Sequence, residues 1–448
     1  MAIDDDSGSY GGASAPVKPD EPVSPLWWQD AEVWNERTAD QVAGIVEALG
    51  GPKVVGVKGE RVSAEGGTVE VDLSDPKNYG DMVYMYQRGR ILVRDRDLER
   101  AQRVVEGRVI EGGVNGLTVL EVADTTVALS ALDGALGVGV GFPDHVVHVS
   151  GQGGGACPAT EPMPTTSKRY PIRDVHGDCT GDGVFVSLVD TGFDPKVAAT
   201  TEWLAGVDGD PESYDRDHLG PYAGHGTFAA GVVRTMAPKC GAYVYGFLPH
   251  GGAIFESDII AALQRALVQA PDIVSMSAGS HSRGDLGMLG FRVLWEQFAS
   301  KGTVLVAAAG NDASRKPFYP AADGYAIGVG ALDVDGSRAG YSNFGSWVDV
   351  YALGSDHVNA FPTGTYDYQQ APLKGRHGTF DTWLASWSGT SFATPLVSGV
   401  IAARMTWTGE TGQQAAAALL ALARDNAQRG VGAVVEPWMA CRPGWGCS

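Results

Sequence analysis

Through the second half of the chain, short apolar runs alternate with segments of helical periodicity. Val184 to Val189, Ala242 to Phe247, Ile273 to Ser277, Thr303 to Ala308 and Ala326 to Val329 read as buried strands. Ser257 to Val268 and Leu286 to Phe298 read as helices between them. Strands with no polar face, separated by helices, predict a mostly parallel sheet covered on both sides, a three-layer α/β domain.

The first half has a different rhythm. Val83-Tyr84-Met85-Tyr86 and Ile91-Leu92-Val93 flank Arg88-Gly89, which predicts a hairpin. Asp97 starts a helix carrying Leu98, Ala101, Val104 and Val105 on one face, Leu117 to Val122 is a strand, and Asp124 caps a helix through Leu132. His145 to Val149 is a further strand; its His145 and His148 alternate with valines and read as packed or solvent-facing, not as ligands. This order suits a smaller α/β domain. Upstream, a helical pattern through Val42, Ile45, Val46 and Leu49 ends at Gly50-Gly51, and Trp27, Trp28 and Trp34 read as packing residues.

Composition sets the boundaries. Residues 1–25, dominated by Gly, Ser, Asp and Pro, predict a disordered tail. Residues 26–150 form the N-terminal α/β domain, and 151–169, with Gly-Gln-Gly-Gly-Gly and then repeated prolines, a flexible linker. The main domain spans 170–430, and 431–448 is a C-terminal tail in which Cys441 and Cys447 bracket a turn-rich stretch. A chain of 448 residues exceeds one ordinary core, as this division requires.

Charge and apolar content exclude several classes of function. Acidic residues outnumber basic ones 53 to 33, a formal charge of −20 that repels nucleic acid and anionic lipid. No apolar run approaches the roughly 20 residues of a membrane span. The five cysteines, an odd count, show no metal-site spacing. The first residues lack the basic and apolar regions of a secretory signal, which favours the cytoplasm over export.

Three segments carry candidate chemistry at places where an α/β sheet gathers it, the carboxyl ends of strands. Phe185 to Gly192 ends a strand on Asp190-Thr191-Gly192; alone, Asp190 reads as a turn or cap residue. Gly224-His225-Gly226-Thr227 sets a histidine between glycines before a run of small residues; alone, His225 reads equally as structural. Gly389-Thr390-Ser391-Phe392-Ala393-Thr394-Pro395 puts a hydroxyl at a helix start, where unpaired N–H groups can meet a developing anion and Pro395 is tolerated.

Together these segments resemble the subtilisin family, with its motifs Asp-Thr/Ser-Gly, His-Gly-Thr and Gly-Thr-Ser-x-Ala-x-Pro in the chain order Asp, His, Ser. The resemblance spans roughly Val184 to Arg404 and implies a serine endopeptidase with Ser391 as nucleophile, His225 as general base and Asp190 orienting the histidine. Val304 to Asp312 is similar to the family strand that ends in an oxyanion-stabilising asparagine, here Asn311. Ile273 to Ser280 is similar to the strand that pairs with extended substrate, which implies contacts from Ser277, Ala278 and Gly279. The resemblance implies that Asp312 lies at the rim of the first specificity pocket, favouring a basic side chain, and that Phe318, before the family-like Tyr319-Pro320, narrows that pocket; the two pull in different directions and leave specificity open.

The resemblance also implies a polypeptide substrate, no required cofactor, and an N-terminal domain, prodomain-like from about residue 81, acting as an intramolecular inhibitor released by cleavage within 151–175. Calcium stabilises members of the family, but no dense carboxylate loop is present; Asp333, Asp335 and Asp349 read as turn residues and no metal ligand is assigned. Two alternatives stand beside hydrolysis: a peptide ligase or macrocyclase using the same triad, and a non-catalytic binding protein on a protease fold.

Overall fold

The computed structural model describes residues 16–18, 27–58, 69–73, 75, 78–79, 82–110, 114–149, 160–166, 179–248, 252–298 and 301–441. β1 (Pro16–Val17) precedes α1 (Ala31–Ala48), which begins where the Asp30 carboxylate accepts the N–H groups of Glu32 and Val33. β2 (Val54–Lys58), β3 (Val69–Val71), β4 (Met82–Arg94), α2 (Leu98–Gln102), β5 (Arg108–Ile110), β6 (Leu117–Glu121), α3 (Thr125–Leu136) and β7 (Gly141–His148) follow. β4 is the spine of an antiparallel sheet: its first half pairs with β2, its second with β6, and β7 runs along both.

Two expectations for this domain change. The hairpin at Arg88-Gly89 is instead the middle of one 13-residue strand. Gly89, at φ +72°, lies where the register against β7 shifts, and its N–H bonds Thr125 Oγ1 at 2.9 Å; a left-handed glycine can bulge a strand as readily as reverse it. The sheet also begins at Val54, well before residue 81, because β2 and β3 belong to it.

The main domain contains β8 (Met163–Pro164), β9 (Phe185–Asp190), α4 (Pro195–Thr200), β10 (Val207–Gly209), α5 (His225–Met236), β11 (Gly241–Gly246), β12 (Ala253–Phe255), α6 (Glu256–Val268), β13 (Ile273–Met276) and α7 (Leu289–Phe298). It continues with β14 (Val304–Ala308), β15 (Ala326–Leu332), β16 (Val350–Leu353), β17 (His357–Ala360), β18 (Gly364–Asp367), β19 (His377–Phe380), β20 (Leu384–Trp387), α8 (Thr390–Thr408) and α9 (Gly412–Asp425). The predicted parallel sheet is present, in the order β10-β11-β9-β13-β14-β15-β16. Alternation along the strands feeds two cores: Val186, Leu188, Val304 and Val306 pack with α5 and α8, while Val189, Val274, Leu305 and Ala307 pack with α6 and α7. β9 lies between β11 and β13, where strand addition reverses direction, so Asp190 ends at the crevice such a switch creates.

The N-terminal domain is joined to this body at several points. β12 pairs antiparallel with β7 and extends the N-terminal sheet, and Leu92, Val119, Phe142 and Val147 share a core with α6 and α7. Part of the predicted tail is structured, because β1 pairs in parallel with β19. Part of the predicted linker is too: β8 pairs with β20, and buried Glu161 accepts the N–H groups of Gln369 and Gln370. Backbone pairing and a buried acceptor override a composition that reads as loop. Residues 151–159, 167–178 and Cys447 lie outside the described residues. No helix among the described residues is long and apolar enough to cross a membrane.

Candidate active site

Asp190, the last residue of β9, faces His225, the first of α5. Its Oδ1 lies 2.6 Å from His225 Nδ1 and accepts the Thr191 N–H at 2.8 Å. Gly226 explains how the helix approaches so closely: a Cβ there would meet Val244 Cγ1 at 2.9 Å and the Gly192 N at 3.1 Å. The Gly226 N–H also donates to Thr191 Oγ1 at 3.1 Å. The glycine after the histidine therefore serves backbone packing against the Asp190 turn.

The imidazole is fully buried, with the rings of Trp387 and Phe392 each 5.2 Å away. His225 Nε2 has no hydrogen-bond partner among the described residues. Ser391 is the second residue of α8, immediately before Phe392, and Ser277 Oγ donates to the Ser391 carbonyl at 3.2 Å. The ring of Phe392, the neighbour of Ser391, thus packs on the imidazole that Asp190 holds, which sets the start of α8 beside the Asp190–His225 pair.

Asn311 follows β14. Its Oδ1 accepts both the N–H and the hydroxyl of Thr390, at 2.9 and 3.0 Å, which fixes the amide against the start of α8. Its Nδ2 is buried without a partner among the described residues. A buried donor left unbonded is expensive in a folded protein unless something else engages it. Asn343, which sequence reasoning missed, braces the same loop: Oδ1 accepts the N–H groups of Asp312 and Ser314, and Nδ2 donates to the Ala309 carbonyl.

Asp312 does not present its carboxylate outward. The side chain is 3% exposed, with Oδ2 lying 3.2 Å from His281 Nε2 and accepting from Asn343 Nδ2 at 3.0 Å. Burial lowers the pKa of His281, but the Asp312 hydrogen bond and charge outweigh it and hold the ring above its ordinary value.

Beside Asp190 opens a cavity of about 430 Å³ lined by Thr191, Asp210, Glu212, Tyr222, Leu248 and Gly252 among others. Burial pushes the Glu212 carboxyl up to about 8 against the Gly224 N–H, which it accepts and which lowers it.

Gly279, the last of the three predicted substrate-contacting residues, is already engaged. His148, at the end of β7, donates its N–H to the Gly279 carbonyl and accepts the Gly279 N–H, both at 3.0 Å. The next residue, Val149, donates to the Gly252 carbonyl at 2.8 Å on the opposite side. Both histidines of β7 are fully buried, and neither side chain is a plain surface group. His145 Nε2 accepts the Arg283 N–H at 3.3 Å, so its ring hydrogen sits on Nδ1 and donates to Glu256 Oε2 at 2.9 Å. Asp144 accepts the N–H and hydroxyl of Ser257, capping α6 from the other domain. The sequence signal for these contacts is weak, since each partner is remote in the chain.

Asp333, Asp335 and Asp349 are separately occupied, with Ser355, the Ser337 N–H and the Gly328 N–H. No group of three or more His, Cys, Asp or Glu among the described residues is arranged to hold a metal.

Comparison with known proteins bears on the same region. Residues 181–433 match the model of the subtilase family. Thermitase of Thermoactinomyces vulgaris is 32% identical over 232 residues, covering 49% of this chain and 74% of its own. Subtilisin Savinase of Lederbergia lenta is 29% identical over 233 residues, covering 50% and 76%. Among solved structures, fervidolysin from Fervidobacterium pennivorans, a keratinolytic enzyme related to subtilisin, superposes with a TM-score of 0.54 at 19% identity over 79% of this chain and 61% of its own, a likeness of fold. A family match across more than half the chain, on the strands and helices that carry Asp190, His225, Asn311 and Ser391, means that the chain belongs to the subtilase family of subtilisin-like serine endopeptidases.

Proposed function

We propose that the chain hydrolyses extended polypeptides through Asp190, His225 and Ser391, and that it is made as a zymogen whose N-terminal domain fills its own substrate groove. A serine hydroxyl is a weak nucleophile, so His225 Nε2 takes the Ser391 proton as Oγ attacks the carbonyl carbon. The Nδ1–H donates to Asp190, which holds the tautomer and stabilises the cation. The oxyanion is met by Asn311 Nδ2 and the Ser391 N–H at the start of α8. Collapse passes the proton from His225 to the leaving amine and leaves an acyl-enzyme; water, deprotonated by the same histidine, releases it.

The observation that carries this reading is the exchange of hydrogen bonds between His148 and Gly279, with Val149 on Gly252. An extended segment held by main-chain pairing on both sides is how a groove takes polypeptide without demanding one sequence. Asn311 Nδ2, buried and without a partner among the described residues, supports the oxyanion assignment.

Labelling by a fluorophosphonate, and intact mass after prolonged incubation, test the two parts. Wild type is expected to label and to lose its N-terminal domain, and Ser391→Ala to do neither. Equal full-length masses for both would sink the zymogen reading, and labelling of Ser391→Ala would sink the triad.

A further inference from the structure

The groove reading leaves the preferred substrate open, and the environment of Phe318 narrows it. His148 and Gly279 form a hydrogen-bonded antiparallel pair, so a strand continuing in that register brings its residue two positions on opposite Ser277. Ser277 Oγ donates to the Ser391 backbone carbonyl at 3.2 Å, so the residue opposite Ser277 is the one set beside the nucleophile's own residue. Side chains two apart share a face of a strand, and its side chain points where the His148 ring points. The His148 ring meets Phe318 edge-on, with centroids 6.1 Å apart.

On that face the space between the groove strand and the oxyanion loop is already filled. A Cβ on Gly279 would fall 2.9 Å from Phe318 Cδ1, and one on Gly310 3.2 Å from its Cδ1 and Cγ. One aromatic ring therefore touches both glycine walls. It is held by more than its own packing: the His281 ring abuts it at 5.3 Å, and Ser280 exchanges both backbone hydrogen bonds with the following residue, Tyr319. Phe318 is 2% exposed. The Asp312 carboxylate, which could have drawn a lysine or arginine into this space, is turned onto His281 and Asn343.

We infer that Phe318 closes the pocket for the residue on the acyl side of the scissile bond, so that the enzyme cleaves after small side chains; the inference deepens the proposed function and rests on its reading of the groove. Glycine, alanine or serine fits against the ring without displacing it. A larger side chain must displace a ring packed on both sides, and a cation would have to reach an Asp312 carboxylate that is buried and already bonded to His281 and Asn343. Counting two residues on from His148 in the chain's own sequence gives Ser150, a residue of the required size that lies outside the described part.

The test uses the full chain after self-processing, with active sites counted by fluorophosphonate labelling, and a series of tetrapeptide p-nitroanilides differing only in the last residue. Wild type is expected to turn over the alanine and serine members with kcat/KM at least about tenfold above the phenylalanine, leucine and lysine members, a modest margin for pocket discrimination. Phe318→Ala is expected to raise the phenylalanine-to-alanine ratio by at least about tenfold. The wild-type ranking requires no variant to fold. Labelled wild-type enzyme that prefers phenylalanine, leucine or lysine overturns the inference, as does a labelled Phe318→Ala variant with an unchanged ratio. Absence of labelling is distinct from both, since it overturns the serine mechanism and with it the inference.

Discussion

His148 and Gly279 exchange both backbone hydrogen bonds at 3.0 Å, although they belong to different domains. The His148 side chain is fully buried, neither ring nitrogen has a hydrogen-bond partner among the described residues, and its neighbours are Phe318 and His281. Burial, with a smaller contribution from His281, lowers its pKa from 6.5 to about 3. The domain contact is thus made by a histidine that must stay neutral.

A depressed basic pKa contributes stability that is present above the free value and lost as pH falls below it. After cleavage, the grip of the N-terminal domain should weaken as pH drops from 7.5 to 5.0. Asp144 works in the other direction: burial pushes it up to about 7 where it caps α6, so its contribution favours the acid side. His148→Phe keeps the ring and removes only the titration. Size-exclusion chromatography of the cleaved protein should show the fragment leaving wild type at pH 5.0 but not the variant; identical elution of both at both pH values would remove His148 from this role.

The same register predicts which bond self-processing would cut. Continued by two residues from His148, it expects cleavage after Ser150. Sequencing the processed protein should find Gly151 as the new N-terminus. A first cleavage beyond residue 160 would contradict the register, because Glu161 and the strand Met163–Pro164 are packed into the main domain.

What was readable in the sequence was local. The motifs around Asp190, His225 and Ser391 are legible because backbone crowding demands small residues at fixed offsets, as Gly226 against Gly192 illustrates. Continuous apolar runs announced the parallel strands, since a sheet covered on both faces needs no polar alternation. The rest depended on distant partners. Arg88-Gly89 looks identical in a turn and in a bulge until β6 and β7 are placed beside it. Asp312 follows Asn311 in sequence, yet its direction is set by His281 and Asn343. Residues 160–165 read as linker because strand pairing with β20 leaves no local pattern.

Asn311 has two tasks that a substitution separates only in part. Asn311→Ala removes the buried Nδ2 and also the acceptor that holds the N–H and hydroxyl of Thr390. Loss of a comparable side-chain donor in subtilisin, a relative, costs about 10²–10³ in kcat, and a similar fall is expected here. Stranding the Thr390 N–H should additionally cost about 1–3 kcal/mol of stability. Steady-state kinetics and thermal unfolding measure the two losses. A fall in stability with kcat unchanged would leave Asn311 a purely structural residue.

Glu212 gives the main domain a stability that falls as pH rises. Its carboxyl, pushed by burial from 4.5 up to about 8, accepts the Gly224 N–H just before His225, and Asp190 and Asp194 raise it further. An acid whose folded pKa is raised contributes stability that is fully present below the unfolded value and is lost as pH rises through the folded one. The loss of stability therefore accumulates between about 4.5 and about 8, where the unfolded carboxyl ionises while the folded one stays protonated. Glu212→Gln retains an acceptor for Gly224 and carries no charge, so the variant's Tm should fall less than that of wild type between pH 5 and pH 9. Each kcal/mol relieved corresponds to roughly 2–4 °C for a domain of this size. The comparison is made by thermal unfolding of Ser391→Ala with and without Glu212→Gln, which keeps self-cleavage out of the measurement. Parallel Tm profiles for the two proteins would show that Glu212 stays ionised throughout and that its proximity to Asp190 has no bearing on pH stability.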